Sequence, residues 1–532
     1  MNFIVWLLHR SATAIVIGLL ILKVTFAESR PNIIIFLVDD IGFGDIRANN
    51  PQGGIPTPNL DAIAKHGANF INAHSSASVC APTRYAILTG NHVYRGRNAM
   101  GTWPPFSGSQ ILKHQQTLAS LLSENGYSTA FFGKSHLGGI KTESDRYGQF
   151  RKGPRDQGFD YSLTLPSGIQ AKPHAFFKDD RLSRWNDQQK KFVHFESAEE
   201  ASQFYNNDRM DNWSTETVGP LLMHDALRFI TEHHEKHQSQ KPFFIHYCSQ
   251  AGHTPYAPPA HFNVSDPMNT TEGIPVKGQT TNARTDMVYE ADLSIGLFKE
   301  RLKELKLWDN TVMIFTSDNG VAKGINRDWS DPIYTDAKDG EYGGIRTEKS
   351  MTPSGVDHLN GQGVINGIPL RGKKGYCYEG GHRVPLILHW PERIAARKIL
   401  QIAGLHDLYR TLAGLLEIPV KENQAIDSVD LSRALLFNES TPIREHLSIQ
   451  ANRPVNSDNK RLNSWSFYTT ERAEGEFHLW KALINNNKNL PRKSEAATVT
   501  ELYNLTKDPG ESQPIVDPER ATRMLNLYKE NL

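Results

Sequence analysis

The chain has 532 residues, of which 38% are hydrophobic and 22% are charged, and its formal net charge at pH 7 is +1. This length and composition predict a globular protein with one large core and a smaller second one. The near-neutral charge excludes an overall field that attracts nucleic acid or an anionic membrane, so an anionic ligand must be bound by a local group of residues.

The first 27 residues predict an export signal. His9 and Arg10 precede the apolar stretch SATAIVIGLLIL, and the small residue Ala27 suits cleavage by a signal peptidase. The apolar stretch is short for a membrane span, so we expect no stable span after cleavage. An uncleaved N-terminal anchor is the alternative, and it also places the body of the protein outside the cytoplasm. A cytosolic chain with a chance apolar start is the third case.

Residues 30 to about 430 alternate short apolar runs with helical patterns, beginning with the strand NIIIFLV. Thr57 and Pro58 begin a helix that ends near Gly67, and a second helical pattern, from Val288 to Leu305, precedes the strand TVMIFTS. This alternation predicts an α/β fold with a large mixed, mostly parallel sheet sandwiched by helices.

The end of the chain has a different pattern. REHLSIQ, WSFYTTE and FHLWKALI read as strands with no helix between them, and ERATRMLNLYKEN reads as a terminal helix. This order predicts a smaller C-terminal antiparallel sheet plus one helix. We therefore divide the mature chain into an N-terminal domain, 28–440, and a C-terminal α+β subdomain, 441–532.

Polar residues follow four of the predicted strands, at the edge where α/β sheets bind ligands. They are Asp39, Asp40, Lys134, His136, His253, Asp318 and Asn319. Each alone has a simpler explanation as a cap or turn residue. Three neighbouring carboxylates and an amide would repel one another unless a cation joined them, and oxygen ligands favour a hard ion such as Ca²⁺ or Mg²⁺.

The chain has three cysteines, Cys80, Cys248 and Cys377, which exclude a disulfide framework. Cys248 lies in an apolar run and is predicted to be a small core residue. Cys80 lies in SVCAPTRYAILTG, which reads as a loop that enters a helix at Pro82.

CAPTRYAILTG resembles the signature of the type I sulfatases of the alkaline phosphatase superfamily, in which a cysteine in a C-x-P-x-R setting is oxidised to formylglycine. The resemblance covers most of the chain. Further motifs match in family order: IIIFLVDDIGFGD, GYSTAFFGKSHLG, QAGHTPY, TSDNG, LRGKKGYCYEGGHRVPLILHWP and the tail ELYNLTKDPGE.

The resemblance implies a role for each matched residue. Cys80, as a hydrated formylglycine, would attack the sulfur of a sulfate ester and form a covalent sulfated enzyme, and His136 would take the proton that allows sulfate to leave. Arg84 would steady the modified residue, Lys134 and Lys374 would neutralise the sulfate, and His253 would protonate the leaving alcohol. Asp39, Asp40, Asp318 and Asn319 would bind Ca²⁺, with Mg²⁺ as the alternative.

Two positions depart from the family pattern. Residue 135 is Ser where the family usually has Trp, and Ser167 in GFDYSLTLPSG is offset by one residue from a serine that contacts sulfate in the family. Ser135 implies that a packing contact or part of the pocket wall differs, and Ser167 is only a candidate for the family serine that contacts the sulfate or the diol.

The resulting prediction is an exported sulfatase that releases sulfate from a sulfated carbohydrate after a formylglycine-generating enzyme has matured it. A phosphate or phosphonate ester hydrolase of the same superfamily is the alternative, and a non-catalytic carbohydrate-binding relative is the third reading. We expect two insertions, 173–215 and 320–366, to line the pocket. Their candidate sugar-contacting residues are Phe176, Phe177, Arg181, Trp185, Trp329, Tyr334 and Tyr342.

Overall fold

The computed structural model describes residues 30–99, 101–140, 151–206, 209–322, 364–365, 368–437, 439, 441–455, 462–473, 476–487 and 497–531. The predicted export signal, 1–27, and three of the predicted sugar-contacting residues, Trp329, Tyr334 and Tyr342, lie outside the described residues. Within the described ranges, no helix has both the length and the apolar character needed to cross a membrane.

One large sheet of eleven described strands forms the centre of the protein. In chain order the strands are β1 (Asn32–Val38), β2 (Ala68–Phe70), β3 (Ser128–Lys134), β4 (Tyr161–Leu165), β5 (Phe176–Lys178), β6 (Arg181–Asn186), β7 (Lys191–His194), β8 (Phe243–Cys248), β9 (Thr311–Ser317), β10 (Leu386–His389) and β11 (Arg397–Ile399). Their order in the sheet is β11-β2-β10-β9-β1-β8-β3-β4-β5-β6-β7. The five central strands, β9 to β4, are parallel, and both edges contain antiparallel pairs.

Helices cover both faces of this sheet. The described helices are α1 (Pro58–His66), α2 (Cys80–Thr89), α3 (Leu118–Glu124), α4 (Ala198–Phe204), α5 (Val218–His237), α6 (Ala283–Glu304), α7 (Glu379–His382), α8 (Leu408–Leu415), α9 (Ser432–Phe437) and α10 (Pro518–Glu530). Every residue of β1 is buried, and its side chains alternate between two cores: Phe36 lies in one and Leu37 in the other. The predicted α/β sandwich is confirmed, and the unbroken apolar run of β1 reflects burial on both faces.

A second sheet follows, with the antiparallel order β12 (His446–Ala451), β13 (Leu462–Ala473), β14 (Glu476–Asn487) and β15 (Thr498–Asn504). The buried Tyr528 of α10 packs its ring against Trp465 of β13. The predicted small sheet with one helix is confirmed. It has a fourth strand, β15, that the sequence did not predict, because only the last three residues of β15 are buried.

The prediction that residues 173–215 line the pocket with aromatic side chains is wrong for the buried aromatics. Strands β5, β6 and β7 instead extend the edge of the large sheet, and Phe176, Phe177 and Trp185 are buried in its core. The missed signal is Asp179-Asp180, which joins β5 to β6 with φ of 47° and 63°. Positive φ at both central residues is typical of a two-residue hairpin turn. Two-residue strand pairs also form between Ala73–His74 and Ala403–Gly404, Tyr205–Asn206 and Arg209–Met210, His261–Phe262 and Ile274–Pro275, and Val364–Ile365 and Ile368–Pro369.

Candidate active site

The parallel pairing of β1 and β9 brings the predicted metal ligands together. Val38 pairs with Ser317, so the residues that follow the two strands leave the sheet side by side. The backbone N–H of Asp40 donates to Oδ1 of Asp318 at 3.3 Å. Asp40 has φ of 59°, a left-handed conformation that costs energy for a residue with a side chain and is concentrated at functional sites.

Cys80 is the first residue of α2, two residues earlier than the predicted start at Pro82. Its Sγ lies 3.2 Å from Nδ1 of His136, which follows β3 and also has a positive φ, 57°. Cys80 is 3% exposed and His136 is 8% exposed, so the thiol and the imidazole meet in a largely dry environment.

Arg84 lies one helical turn after Cys80 and joins α2 to the strand ends. Its Nε and Nη2 lie 2.9 and 2.7 Å from Oδ2 of Asp318, and its Nη1 donates to the carbonyl oxygen of Lys134 at 2.9 Å. Nη2 also lies 3.5 Å from Asp39. This buried guanidinium therefore connects α2 to the carboxylates of Asp39 and Asp318, which follow β1 and β9.

Two lysines neutralise the carboxylates that follow β1. Nζ of Lys134 lies 2.7 Å from Oδ2 of Asp39, and Nζ of Lys374 lies 2.5 Å from Oδ1 of Asp40. Nδ2 of Asn319 donates to the same Asp40 oxygen at 2.6 Å, and Nε2 of His253 lies 3.7 Å from Oδ2. The structure thus brings all ten predicted site residues into one cluster.

The donor set fits a hard cation. Oδ1 of Asp39 and Oδ1 of Asn319 are buried and have no hydrogen-bond partner among the described residues. Single oxygens of Asp39 and Asp40 and a nitrogen of His253 lie within 4.8 Å of one another, as do ligand atoms of Asp39, Cys80 and Asp318. Ca²⁺ and Mg²⁺ prefer oxygen ligands, and a cation bound here would satisfy the buried carboxylate and amide oxygens that have no partner in the described part of the chain.

The pKa shifts of Asp39 and Asp318 indicate that the cluster could accept an additional positive charge. Burial alone would raise the pKa of Asp39, but Lys134, His253 and Arg84 hold that pKa well below its usual range. Burial and the neighbouring charge of Asp39 raise the pKa of Asp318 well above its usual range. With only the positive side chains present, Asp39 favours its charged form and Asp318 favours its neutral form. An additional cation would favour the charged form of both carboxylates.

Both site histidines favour their neutral forms. Burial, with the charges of Lys134 and Arg84, lowers the pKa of His136 far below 6.5, so its Nδ1 can accept a proton from the group at residue 80. Burial lowers the pKa of His253 to about 4. Nδ1 of His253 lies 2.6 Å from the carbonyl oxygen of Thr254 and must donate there, so Nε2 has no proton in the neutral form.

The two departures from the family pattern lie beside Lys134. The hydroxyl groups of Ser135 and Ser167 are both buried without a hydrogen-bond partner among the described residues. A Cβ on Gly168 would lie 2.8 Å from Cδ of Lys134, so the turn that contains Ser167 contacts this lysine closely.

The sequence did not identify Arg284 and Asp45, which support the turn that contains Asp40. Nη1 of Arg284 lies 3.1 Å from Asp45, and Nη2 lies 3.4 Å from the carbonyl oxygen of Asp40. Both residues are buried. They are 239 residues apart, so no local spacing could have predicted this pair.

Comparisons with known proteins identify the family of the chain. The sulfatase family profile matches residues 31–418. The chain is 27% identical to N-acetylgalactosamine-6-O-sulfatase of Bacteroides thetaiotaomicron, over 94% of this chain and 93% of that protein. It is 26% identical to arylsulfatase A of Homo sapiens, over 97% and 90%. A solved Bacteroides thetaiotaomicron structure, described under the metabolism of multiple glycosaminoglycans, is 25% identical with a TM-score of 0.69 and covers 94% of this chain and 99% of that one. The chain therefore belongs to the sulfatase family, a group of sulfuric ester hydrolases in the alkaline phosphatase superfamily.

Proposed function

We propose that this sulfatase releases inorganic sulfate from a sulfated carbohydrate and that the oxidised side chain of Cys80 is its nucleophile. The observation that carries the proposal is the position of Cys80, which begins α2 with its Sγ 3.2 Å from His136 and beside the carboxylates of Asp39 and Asp318. The carbohydrate class is supported by the similarity to N-acetylgalactosamine-6-O-sulfatase.

Oxidation of Cys80 to formylglycine would supply an aldehyde that water converts to a geminal diol. One diol oxygen, after its hydroxyl proton has passed to solvent, would form a bond to the sulfate sulfur while the bond from sulfur to the substrate alcohol breaks. The second hydroxyl then gives its proton to Nδ1 of neutral His136, the aldehyde re-forms and sulfate leaves. The leaving alcohol needs a proton, and His253 supplies it only from its imidazolium form, because Nε2 is otherwise unprotonated.

Asp39, Asp40, Asp318 and Asn319 would hold Ca²⁺, with Mg²⁺ as the alternative. A bound cation would polarise the sulfate oxygens and favour the deprotonated diol. Lys134 and Lys374 lie within 2.7 Å of the carboxylates and would turn toward the sulfate oxygens, where their charge offsets the charge that develops during reaction.

The proposal includes export and maturation. Residues 1–27 would direct the chain out of the cytoplasm, and a formylglycine-generating enzyme would convert Cys80. Residues 28–440 would form the catalytic domain and residues 441–532 the C-terminal subdomain.

The first test is the mass of the peptide that contains Cys80, in protein purified from cells that supply the maturation enzyme. We expect the mass deficit of thiol-to-aldehyde conversion and capture by a hydrazine reagent. The peptides that contain Cys248 and Cys377, both buried, are internal controls and should keep their thiols. An unmodified Cys80 in active protein would contradict the mechanism.

The second test compares matched sulfate and phosphate esters of one alcohol. Faster release of sulfate than of phosphate is expected, because a single oxygen-ligated site beside Cys80 suits the sulfate reaction. Faster turnover of the phosphate ester would instead support a phosphate or phosphonate ester hydrolase.

A further inference from the structure

The lysine segment, residues 371–383, carries Lys374 to the active site and continues into α7. Its backbone is hydrogen-bonded to the loops on both sides of the site. The N–H of Gly375 donates to the carbonyl oxygen of Ser78 at 2.8 Å, and the N–H of Lys374 donates to that of Val321 at 2.8 Å. Further along, the N–H of Ser75 donates to the carbonyl oxygen of His382 at 2.7 Å. The position of Lys374 therefore depends on where this segment is held.

The C-terminal sheet holds one end of the lysine segment through a buried charge network. Nζ of Lys481, in β14, lies 2.8 Å from Oε1 of Glu379 and 2.7 Å from Oε1 of Glu511. Oε2 of Glu511 accepts the backbone N–H of Glu379 at 2.7 Å, and the hydroxyl of Tyr468 donates to the Glu379 carboxylate. Glu379, Lys481 and Glu511 each have no solvent exposure.

The same sheet holds the other end of the segment. Nη1 of Arg371 donates to the hydroxyl of Tyr503 in β15 at 2.9 Å and to the carbonyl oxygen of Glu511 at 3.3 Å. Its guanidinium also lies 3.9 Å from the centre of the Tyr378 ring, within the segment itself. Lys374 is thus flanked by two anchors, at Arg371 and Glu379, that both reach the C-terminal subdomain.

The charges of this network are matched without a metal ion. His74, Glu379 and His382 offer ligand atoms close to one another. The Glu379 carboxylate, however, already lies 2.8 Å from both Lys481 and Arg383, which balance Glu379 and Glu511. A buried ion pair with good partners specifies a position more than it adds stability, and its charges here fix the segment on the sheet.

We propose that Lys481 and Glu511 are positioning residues that hold Lys374 in place for sulfate binding, so that the C-terminal sheet is part of the catalytic apparatus. This inference rests on the role of Lys374 given under Proposed function. Neither residue touches the reacting atoms: they act through Glu379, five residues after Lys374. The ELYNLTKDPGE tail, which ends at Glu511, then has a function in the reaction.

The test is a double-mutant cycle between Lys481→Met and Lys374→Ala, with kcat and KM for a sulfate ester measured per mole of converted Cys80. Lys481→Met keeps the length of the side chain and removes its charge. We expect kcat/KM to fall by about 10²-fold, the size of a loss caused by a misplaced substrate-binding group. In the Lys374→Ala background, Lys481→Met should lower kcat/KM by no more than about twofold, because the ammonium group that Lys481 positions is absent.

A control variant separates the loss of a positioning contact from a general loss of folding. Arg228→Met is the control, because Arg228 pairs with the fully buried Asp225 in α5 at 2.6 Å and its other side-chain partners, Glu232 and Tyr161, lie outside the lysine segment. It should leave kcat/KM per converted Cys80 unchanged. If Lys481→Met lowers kcat/KM by the same factor with and without Lys374, the positioning role is overturned while the role of Lys374 stands.

Glu511→Gln keeps the test available if Lys481→Met does not fold. Its amide oxygen can still accept the N–H of Glu379, and it removes only one charge. The same non-additivity with Lys374→Ala is expected, and equal factors in both backgrounds overturn the inference. If Lys374→Ala alone leaves turnover unchanged, both the proposed role of Lys374 and this inference fail.

Discussion

Two buried charge clusters of this protein differ in how far their side chains are exposed to solvent. The site cluster contains Asp39, Asp40 and Asp318 with Arg84, Lys134 and Lys374, and the network cluster contains Glu379 and Glu511 with Arg383 and Lys481. In the site cluster, the Lys374 side chain is 18% exposed. In the network cluster, no side chain of these four is more than 7% exposed.

The carboxyl groups of the two clusters have similar pKa shifts. The site has one carboxyl group with a lowered pKa, Asp39, beside one with a raised pKa, Asp318. Lys481 and its neighbours likewise hold the pKa of Glu379 well below its usual range against burial, while burial raises the pKa of Glu511 to about 7. Matched charge alone therefore does not mark an active site. Access to solvent, through the partly exposed Lys374, distinguishes the cluster that can bind and exchange ligands.

The largest expected effect is on the nucleophile of the site cluster. Cys80→Ser should lower steady-state turnover by about 10⁶-fold, as loss of the nucleophile does in other hydrolases. A serine has one hydroxyl and so lacks the second oxygen that expels sulfate. Mass spectrometry after incubation with a sulfate ester should find sulfate bound at residue 80. Sustained turnover by the variant would rule out the diol mechanism.

Removal of metal should affect the site cluster alone. Dialysis against a chelator should lower kcat by about 10³-fold, since a bound cation supplies several kcal/mol of transition-state stabilisation. Ca²⁺ should restore the activity. The control is the Asp318→Asn variant. Added Ca²⁺ should no longer raise its unfolding temperature. Full activity in metal-free protein, verified by elemental analysis, would contradict the site.

A matched pair of carboxyl-to-amide changes should separate the clusters by stability. Glu379→Gln should lower the free energy of unfolding by about 3–5 kcal/mol, because it removes the carboxylate that pairs with both Lys481 and Arg383, two buried cations. Asp318→Asn should cost less, since the raised pKa of Asp318 means that folding already favours its neutral form. Urea unfolding of both variants measures the difference. Equal losses would show that the two clusters are energetically alike.

The smallest expected effect is the pH dependence of the network cluster. Burial lowers the pKa of His382 to about 3 and that of His74 well below 6.5. The unfolded chain therefore holds about one more proton at these two residues than the folded chain at pH 6.5, and about two more at pH 4.5. Glu511 offsets about one of these protons. Its pKa of about 7 means that the folded chain keeps a proton on Glu511 that the unfolded chain releases. The net loss of stability is about 1.4 kcal/mol per pH unit.

His382→Gln removes one imidazole from this balance and should reduce the slope by about 1.4 kcal/mol per pH unit. Urea unfolding at pH 6.5, 5.5 and 4.5 measures the slope in both proteins. An unchanged slope in the variant would show that His382 is not held neutral in the folded protein.

Much of the site could be predicted because its residues lie in short motifs at strand ends. Asp39 and Asp318 follow fully buried apolar runs, and parallel strands deliver their carboxyl ends to one edge. The hairpins of β5 to β7 could not be recognised by apolar periodicity, since β6 and β7 interleave apolar and charged residues in only six and four positions.

The amino-acid sequence by itself determined the ten residues of the site, the α/β alternation and the second small sheet, because each depends on local pattern or on a contiguous motif. Only the tertiary structure decided that Arg284 supports Asp40 and that Lys481 and Glu511 hold the lysine segment. Lys481 lies 102 residues from Glu379 in the chain. This salt bridge forms when the C-terminal sheet packs against α7, and it leaves no periodicity in the sequence to predict it.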